Sequence, residues 1–256
     1  MSAVRYRETI WSDVFPGNFH TVHALHPAVL GAENALDLAP DKRQRVVWRL
    51  DGGSGSEQQM RWLVERGYHI LAKGINHNRT KKLAGQVQRW DAYRPEAWVG
   101  EVTAPSDFTR PVRVFVKRQR KEGAFHYSYY VTTLSLPAKG SFLDFYEARG
   151  GAEVEQFRND KSGLSLAMRR KRDYLAQIGY VLLTDLAHNL LADFSQRALL
   201  DSPLASFGLK RIVRDLLAIP GRLVFNAGKL QRIELLSLKH FSIPLRNCLV
   251  RYCNDL

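Results

Sequence analysis

The segment RVVWRLDGGSGSEQQMRWLVERGYHILAKG, residues 45–74, decides the fold. Its first six residues are β-branched, aromatic and few, as a buried strand requires, and Asp51-Gly52-Gly53-Ser54-Gly55 breaks the run. Ser56-Glu57-Gln58-Gln59 reads as a capping box for a helix that carries Met60, Trp62, Leu63 and Val64 and stops at Gly67. YHILAKG, residues 68–74, supplies the next strand. Strand, helix and strand in about 30 residues make a βαβ unit, so this part of the chain is α/β with parallel pairing.

Upstream, VRYRETIW (residues 4–11) alternates weakly before the turn signal Phe15-Pro16-Gly17-Asn18, and HALHPAVLGAENAL has helical spacing. Downstream, residues 75–135 show few helical patterns and much β-branched and aromatic content, in AWVGEVTA, PVRVFVKRQ and HYSYYVTTLSL. They read as an antiparallel β insertion, with Lys121-Glu122-Gly123 as a hairpin turn. From Ser141 the pattern is helical, with long helices over 144–160 and 170–198. The second is apolar on most faces and is therefore expected at the centre of a core. Pro203 and Gly208 mark a loop, and GLKRIVRDLLA is a further helix. The expected division is residues 1–74 as the first part of a core, 75–140 as the insertion, 141–200 as helices completing the core, and 201–256 as a helical tail.

A chain of 256 residues with 45% hydrophobic content can bury a full core, and its formal charge of +13 favours polyanionic partners, nucleic acid first. No apolar run approaches the roughly 20 residues of a spanning helix, so no membrane partner is expected. MSAVRYRETIW has neither the apolar block nor the cleavage site of a secretory leader, and Cys248 and Cys253 lack partner ligands at metal spacing. Packing thiols and a cytoplasmic setting are the expectation.

Asp51 sits where α/β folds place ligands, at the C-terminal end of a parallel strand, although Asp before Gly-Gly is also an ordinary turn residue. The glycine run lacks the Gly-Lys-Ser/Thr of a phosphate loop; a nucleotide-binding enzyme would have to place its ligand at Gly52–Gly55. Tyr146, Arg149 and Glu153 share one helical face, suited to a phosphate and a metal, or to a solvated stripe with an Arg-to-Glu pair. Lys73 either meets a phosphate or ends a strand. Two basic clusters fit nucleic acid: Arg110, Arg113, Lys117, Arg118, Arg120 and Lys121 among aromatic residues, and Arg169, Arg170, Lys171 and Arg172. His20, His23 and His26 lack the further ligand that a zinc site needs.

RLDGGSGS, a helix, YHILAKG, a β-rich interval and then Y-x-x-R-x-x-x-E resemble the DDE transposases of bacterial insertion sequences, in particular the group named for a Tyr-Arg-Glu-Lys signature. The likeness runs from Tyr6 to Phe194, and GLKRIVRDLLAIPG is similar to the family's C-terminal region. The resemblance implies an α/β fold with a ribonuclease-H-like core interrupted by the β insertion. It implies a two-metal site for Mg²⁺ (or Mn²⁺) held by three carboxylates, Asp51 matching the second and Glu153 the third. It also implies DNA partners, namely transposon ends and target, and a homodimer in the full-length enzyme, which cleaves ends and transfers strands. Tyr146 and Arg149 match positions that contact DNA phosphates, where an Arg fork binds bidentately. Trp90 and Trp98 are candidates by position for a Trp that stacks on a flipped base, or are core residues. Arg169 and Arg170 are expected to bind DNA on the strength of their basic cluster.

The family's Lys falls seven positions after the Glu, where this sequence has Asp160; Lys161 follows, about 80° further around the helix. Glu155, six residues before Lys161, is the alternative metal ligand and points about 160° away from Glu153. Asp13, Asp37 and Asp41 end no apolar strand, so the first catalytic Asp is unassigned. The resemblance then implies an N-terminally incomplete transposase with a free sheet edge, or a catalytically dead DNA-binding remnant that inhibits intact enzyme.

Overall fold

The computed structural model describes residues 2–3, 7–103, 107–168, 172–236 and 240–254, with the side chains of Ser2, Thr21, 149–159 and Asn254 outside that description. In chain order the elements are β1 (Ser2–Ala3), β2 (Glu8–Thr9), α1 (Thr21–Ala35), β3 (Val47–Leu50), α2 (Glu57–Glu65), β4 (His69–Lys73) and α3 (His77–Gln86). Then follow β5 (Asp91–Arg94), β6 (Ala97–Val102), β7 (Arg113–Lys121), β8 (Ala124–Thr132), α4 (Lys139–Gly163), α5 (Tyr174–Phe194), α6 (Leu209–Arg211), β9 (Gly221–Asn226), β10 (Lys229–Leu235) and α7 (Ser242–Asn254). They form two compact units, Phe15–Gly151 and Met1–Val14 with Ala152–Leu256; the residues of α4 span the boundary.

The unit Phe15–Gly151 is α/β, built on a mixed six-stranded sheet of order β3-β4-β8-β7-β6-β5. β3 and β4 are parallel, with Trp48 opposite Ile70 and Leu50 opposite Ala72, as the βαβ reading requires. All other neighbours are antiparallel. The β-rich interval thus forms no sheet of its own; it extends the sheet from β4 and leaves β3 at one edge.

Local signals explain most elements. Ser56 caps α2 by accepting from the Gln59 N–H, but the reciprocal half of the capping box does not form, because the Gln59 amide donates to the Val22 carbonyl. Gly67 ends the helix at φ +99°, and Glu122 and Gly123 both take positive φ in the β7–β8 turn. Helix α3 was not expected. HNRTKKLAGQ has little apolar periodicity, but Asn76 caps it and only Thr80 and Leu83 are buried.

Side-chain alternation sets the layers. Leu71, Val99, Phe115 and Tyr130 face α4 and form a core with its Phe142, Leu143 and Tyr146. Trp48, Leu50, Ile70 and Ala72 face the other way, toward the side on which α2 packs against β4. Helix α1 is tied in by Glu33, which receives two bonds from Arg66 at 2.6 and 2.5 Å and one from the Tyr68 hydroxyl at 2.7 Å. The Arg66 bond, with help from Tyr68 and Arg43, holds the Glu33 carboxyl below its ordinary value against the opposing effect of burial.

In the second unit, Leu191, Ala198, Leu199, Leu204, Ile212, Leu216, Leu245 and Cys248 make the core. Both cysteines are free thiols, Cys248 buried and Cys253 exposed. β9 and β10 form a hairpin whose two turn residues, Ala227 and Gly228, have positive φ. That hairpin and α7 stand where the sequence showed a helical tail with short mixed segments. The N-terminal segment lies along α5: Asn189 exchanges two bonds with the Thr9 main chain, and the Tyr174 hydroxyl donates to the Val14 carbonyl.

α5 departs from the expectation of a central helix. Thr184, His188, Leu191 and Ala192 are buried, but Leu175, Leu182, Leu183, Leu186 and Leu190 on the opposite side are each more than half exposed. Among the described residues no helix is long and apolar enough to cross a membrane.

Candidate functional site

Asp51 directly follows β3 and is exposed. Its Oδ1 accepts from the Ser54 N–H at 3.2 Å, so it closes the glycine-rich turn as well as standing at a strand end. The turn is pressed against β4: a Cβ on Gly55 would lie 1.8 Å from the Lys73 carbonyl oxygen. Beneath it, a Cβ on Gly74 would lie 1.8 Å from the Tyr129 ring. Glu57 opens α2 where the helix dipole would favour an anion, and it is paired with Arg79 and Arg61. A carboxylate already standing at that helix start disfavours a nucleotide phosphate at Gly52–Gly55.

The strand that ends in Asp51 is joined to the helix of the Y-x-x-R-x-x-x-E motif. Arg49 donates to the Phe145 carbonyl at 2.8 Å, and its guanidinium lies 4.9 Å from the Phe145 ring centre. Tyr146, next on α4, is buried against Tyr130 with ring centres 5.0 Å apart, so its ring is a core component. Lys73 is half-buried at the end of β4, opposite Tyr130 in the register and on the α4 side of the sheet. Strand end, Lys73 and the first half of α4 therefore meet on one sheet face.

Arg149 and Glu153 lie on α4, but their side chains fall outside the described residues, as does that of Glu155. Lys161, in the last turn, is exposed, and Arg169 and Arg170 are outside the described residues. An exposed carboxylate at a strand end suits one ligand of a divalent-cation site. Among the described residues no group of three His, Cys, Asp or Glu side chains is placed to hold a metal. Asp13 accepts from the Val14 N–H, Asp37 sits at φ +47° paired with Lys42, and Asp41 follows in a turn, so none of the three ends a strand. His26 stacks on Trp62, which gives it a packing role.

The insertion supplies a second feature. Alternation along β7 splits its basic residues between two faces. On the α4 face, Arg113 is paired with Glu101, and Lys117 lies 2.6 Å from Glu147, so these cations are neutralised within the fold. Arg110 donates to the Tyr68 carbonyl. On the other face, Arg118 is surrounded by aromatic rings: Trp90, Trp98 and Phe125 have ring centres 4.4, 4.8 and 4.9 Å from the guanidinium carbon. Tyr127, directly opposite Arg118 in the register, lies 6.2 Å from Trp90.

Phe125 is 46% exposed, and both Trp rings are partly accessible, so this is an open aromatic platform rather than a core. Arg120 extends it along the strand. Lys81 and Lys82, exposed on α3, have no ion-pair partner among the described residues. Sequence reasoning found Trp90, Trp98 and Arg118 separately. Their convergence with Phe125 and Tyr127 depends on the β6–β7–β8 register, which places Trp98, Arg118 and Tyr127 in one row. The sequence matches no protein-family model and no curated protein.

Proposed function

We propose that this protein is a DNA transposase of the DDE class, with a ribonuclease-H-like core formed around β3, β4 and α4. The observation that carries the reading is the Arg49–Phe145 contact, which joins the strand leading to Asp51 to the part of α4 that bears Tyr146 and Arg149. Asp51 and Glu153 would hold Mg²⁺, which when bound polarises the phosphate and activates the attacking oxygen. The platform of Trp90, Trp98, Phe125 and Tyr127 around Arg118 supports DNA binding: aromatic faces accept unstacked bases, and nearby cations meet the backbone. The net charge of +13 supports the same partner.

A second reading, a DNA-binding protein that does not cut and that inhibits an intact transposase, is favoured by the positions of Asp13, Asp37 and Asp41 away from any strand end. One set of assays separates the two. The purified chain is incubated with supercoiled plasmid and Mg²⁺, with Asp51→Ala and Glu153→Ala as controls. Nicking lost in both variants supports the enzyme; salt-sensitive DNA binding without nicking supports the second reading. Absence of DNA binding at low salt refutes both.

A further inference from the structure

We propose that residues 7–14 form a strap docked along α5 and that His188 is its latch: the strap is held while both ring nitrogens carry protons and is released when one proton is lost. All the groups concerned lie in the unit of Met1–Val14 and Ala152–Leu256. From the level of His188 to that of Tyr174 the helix is about 21 Å long, and seven steps of extended chain span about 23 Å. Arg7 to Val14 therefore run beside α5 with almost no slack. None of these eight residues is buried, so hydrogen bonds rather than a core hold the strap, which is the condition for a segment that opens locally.

Four side chains of α5 make those bonds. The Asn189 amide meets both main-chain groups of Thr9, at 2.7 and 2.9 Å, and Asp185 bonds Ser12. The Tyr174 hydroxyl ends the row at the Val14 carbonyl, 2.7 Å away. His188 holds the other end: its Nε2 lies 2.8 Å from the Arg7 carbonyl, while its Nδ1 lies 2.6 Å from Asp160 Oδ1 on α4. Arg7 stands at φ +56°, a left-handed conformation that costs free energy in a residue with a Cβ and that the His188 bond helps to maintain.

The latch follows from the count of protons. A carbonyl and a carboxylate only accept, so the ring satisfies both only as the imidazolium. A neutral ring keeps its one N–H for the carboxylate, the stronger acceptor, and turns a nitrogen lone pair on the Arg7 carbonyl. That contact is repulsive, and letting Arg7 go also relieves its backbone. The charged groups around the ring are Asp160 on α4, Asp185 one turn earlier on α5, and Arg7 and Glu8 in the strap, with Asp13 further along it. Burial opposes the ring's charge, but the bonds to Asp160 and Arg7 and the two buried-side carboxylates outweigh it, so release falls on the alkaline side of an ordinary histidine. Phe15 opens the other unit, so undocking lengthens one of the two passages of chain between the units. The proposal uses no residue of the candidate site and is independent of the proposed function.

The test is amide hydrogen exchange of the full chain between pH 6 and pH 9, each rate divided by that of a synthetic peptide of residues 7–14 at the same pH. Protection over residues 8–12 should fall by at least about tenfold as pH rises, the least expected for losing one bond to a charged group, with a midpoint above about 6.5. Protection in α7 should stay constant, because the opening is local. Tyr174→Phe, at the far end of the strap, should lower the midpoint at which the His188 ring titrates in NMR spectra, since docking and proton binding are linked reciprocally. A purely structural histidine would not respond to that distant change. His188→Gln should make strap protection independent of pH; if that variant does not fold, the wild-type exchange and Tyr174→Phe decide. Strap protection that is flat with pH overturns the proposal. So does a fall shared by α7, or a His188 midpoint indifferent to Tyr174→Phe.

Discussion

Replacing His188 with Ala should remove a buried charged clamp whose cost depends on pH. His188 is 4% exposed; its Nδ1 lies 2.6 Å from Asp160 Oδ1 and its Nε2 lies 2.8 Å from the Arg7 carbonyl. Both partners are acceptors, so satisfying them takes two N–H donors, which only the imidazolium has. Burial opposes that charge and is the largest single influence. The bonds to Asp160 and the Arg7 carbonyl, with the charges of Asp160 and Asp185, outweigh it and raise the His188 pKa above the ordinary value. Asp185, half-buried and bonded to Ser12, has its own pKa raised mainly by burial.

Asp160 is 5% exposed, so deleting the histidine strands a buried carboxylate and should cost about 3–5 kcal/mol at pH 6. The sign follows from the raised value. A folded-state pKa above the unfolded value of about 6.5 gives stabilisation fully present below that pH and lost as pH rises through the folded value. The gap between wild type and variant should therefore shrink toward pH 9, by about 1.4 kcal/mol for each unit by which the folded pKa exceeds the unfolded one. Urea unfolding of both proteins at pH 6 and pH 9 measures this. Adding Asp160→Asn to His188→Ala should recover part of the loss, because the stranded charge goes with it. A gap below about 1 kcal/mol at pH 6, or one equal at both pH values, would refute the doubly bonded imidazolium.

Three further outcomes follow from the other unit. Glu33→Ala should destabilise by about 3 kcal/mol at pH 7, because Arg66 loses two bonds and Tyr68 one; the lowered Glu33 pKa means the wild-type contribution is present above about pH 4.3 and lost as pH falls through the folded value, which urea midpoints at pH 3.5 and pH 7 would show. Gly74→Ala should leave little folded protein in a thermal melt, since its Cβ falls inside the buried Tyr129 ring, whereas Gly85→Ala in α3, with nothing near its Cβ, should melt at or above the wild-type temperature. Trp98→Ala or Arg118→Ala should weaken binding of labelled single-stranded DNA by about 1–3 kcal/mol in anisotropy titrations, while Arg113→Ala, on the opposite face and already paired, should leave it within about 0.5 kcal/mol of wild type.

The amino-acid order alone determined the elements whose signals are local. The β3–α2–β4 unit is written in an apolar run, a Ser56 cap and a Gly67 stop, and the β7–β8 turn in Glu122-Gly123, because each depends on neighbouring residues and backbone preference. α3 escaped notice because a polar helix held by one cap has little periodicity to read. Only the tertiary structure decided which side of each element was used. Strand register divided Arg113 and Lys117 from Arg118 and turned scattered aromatics into one platform. Packing covered one side of α5 and left five leucines open, and the Arg49–Phe145 contact joined residues 96 positions apart. The cause is the same in each case: a side chain's partners lie across strands and between layers, at separations that hydrophobic pattern does not encode.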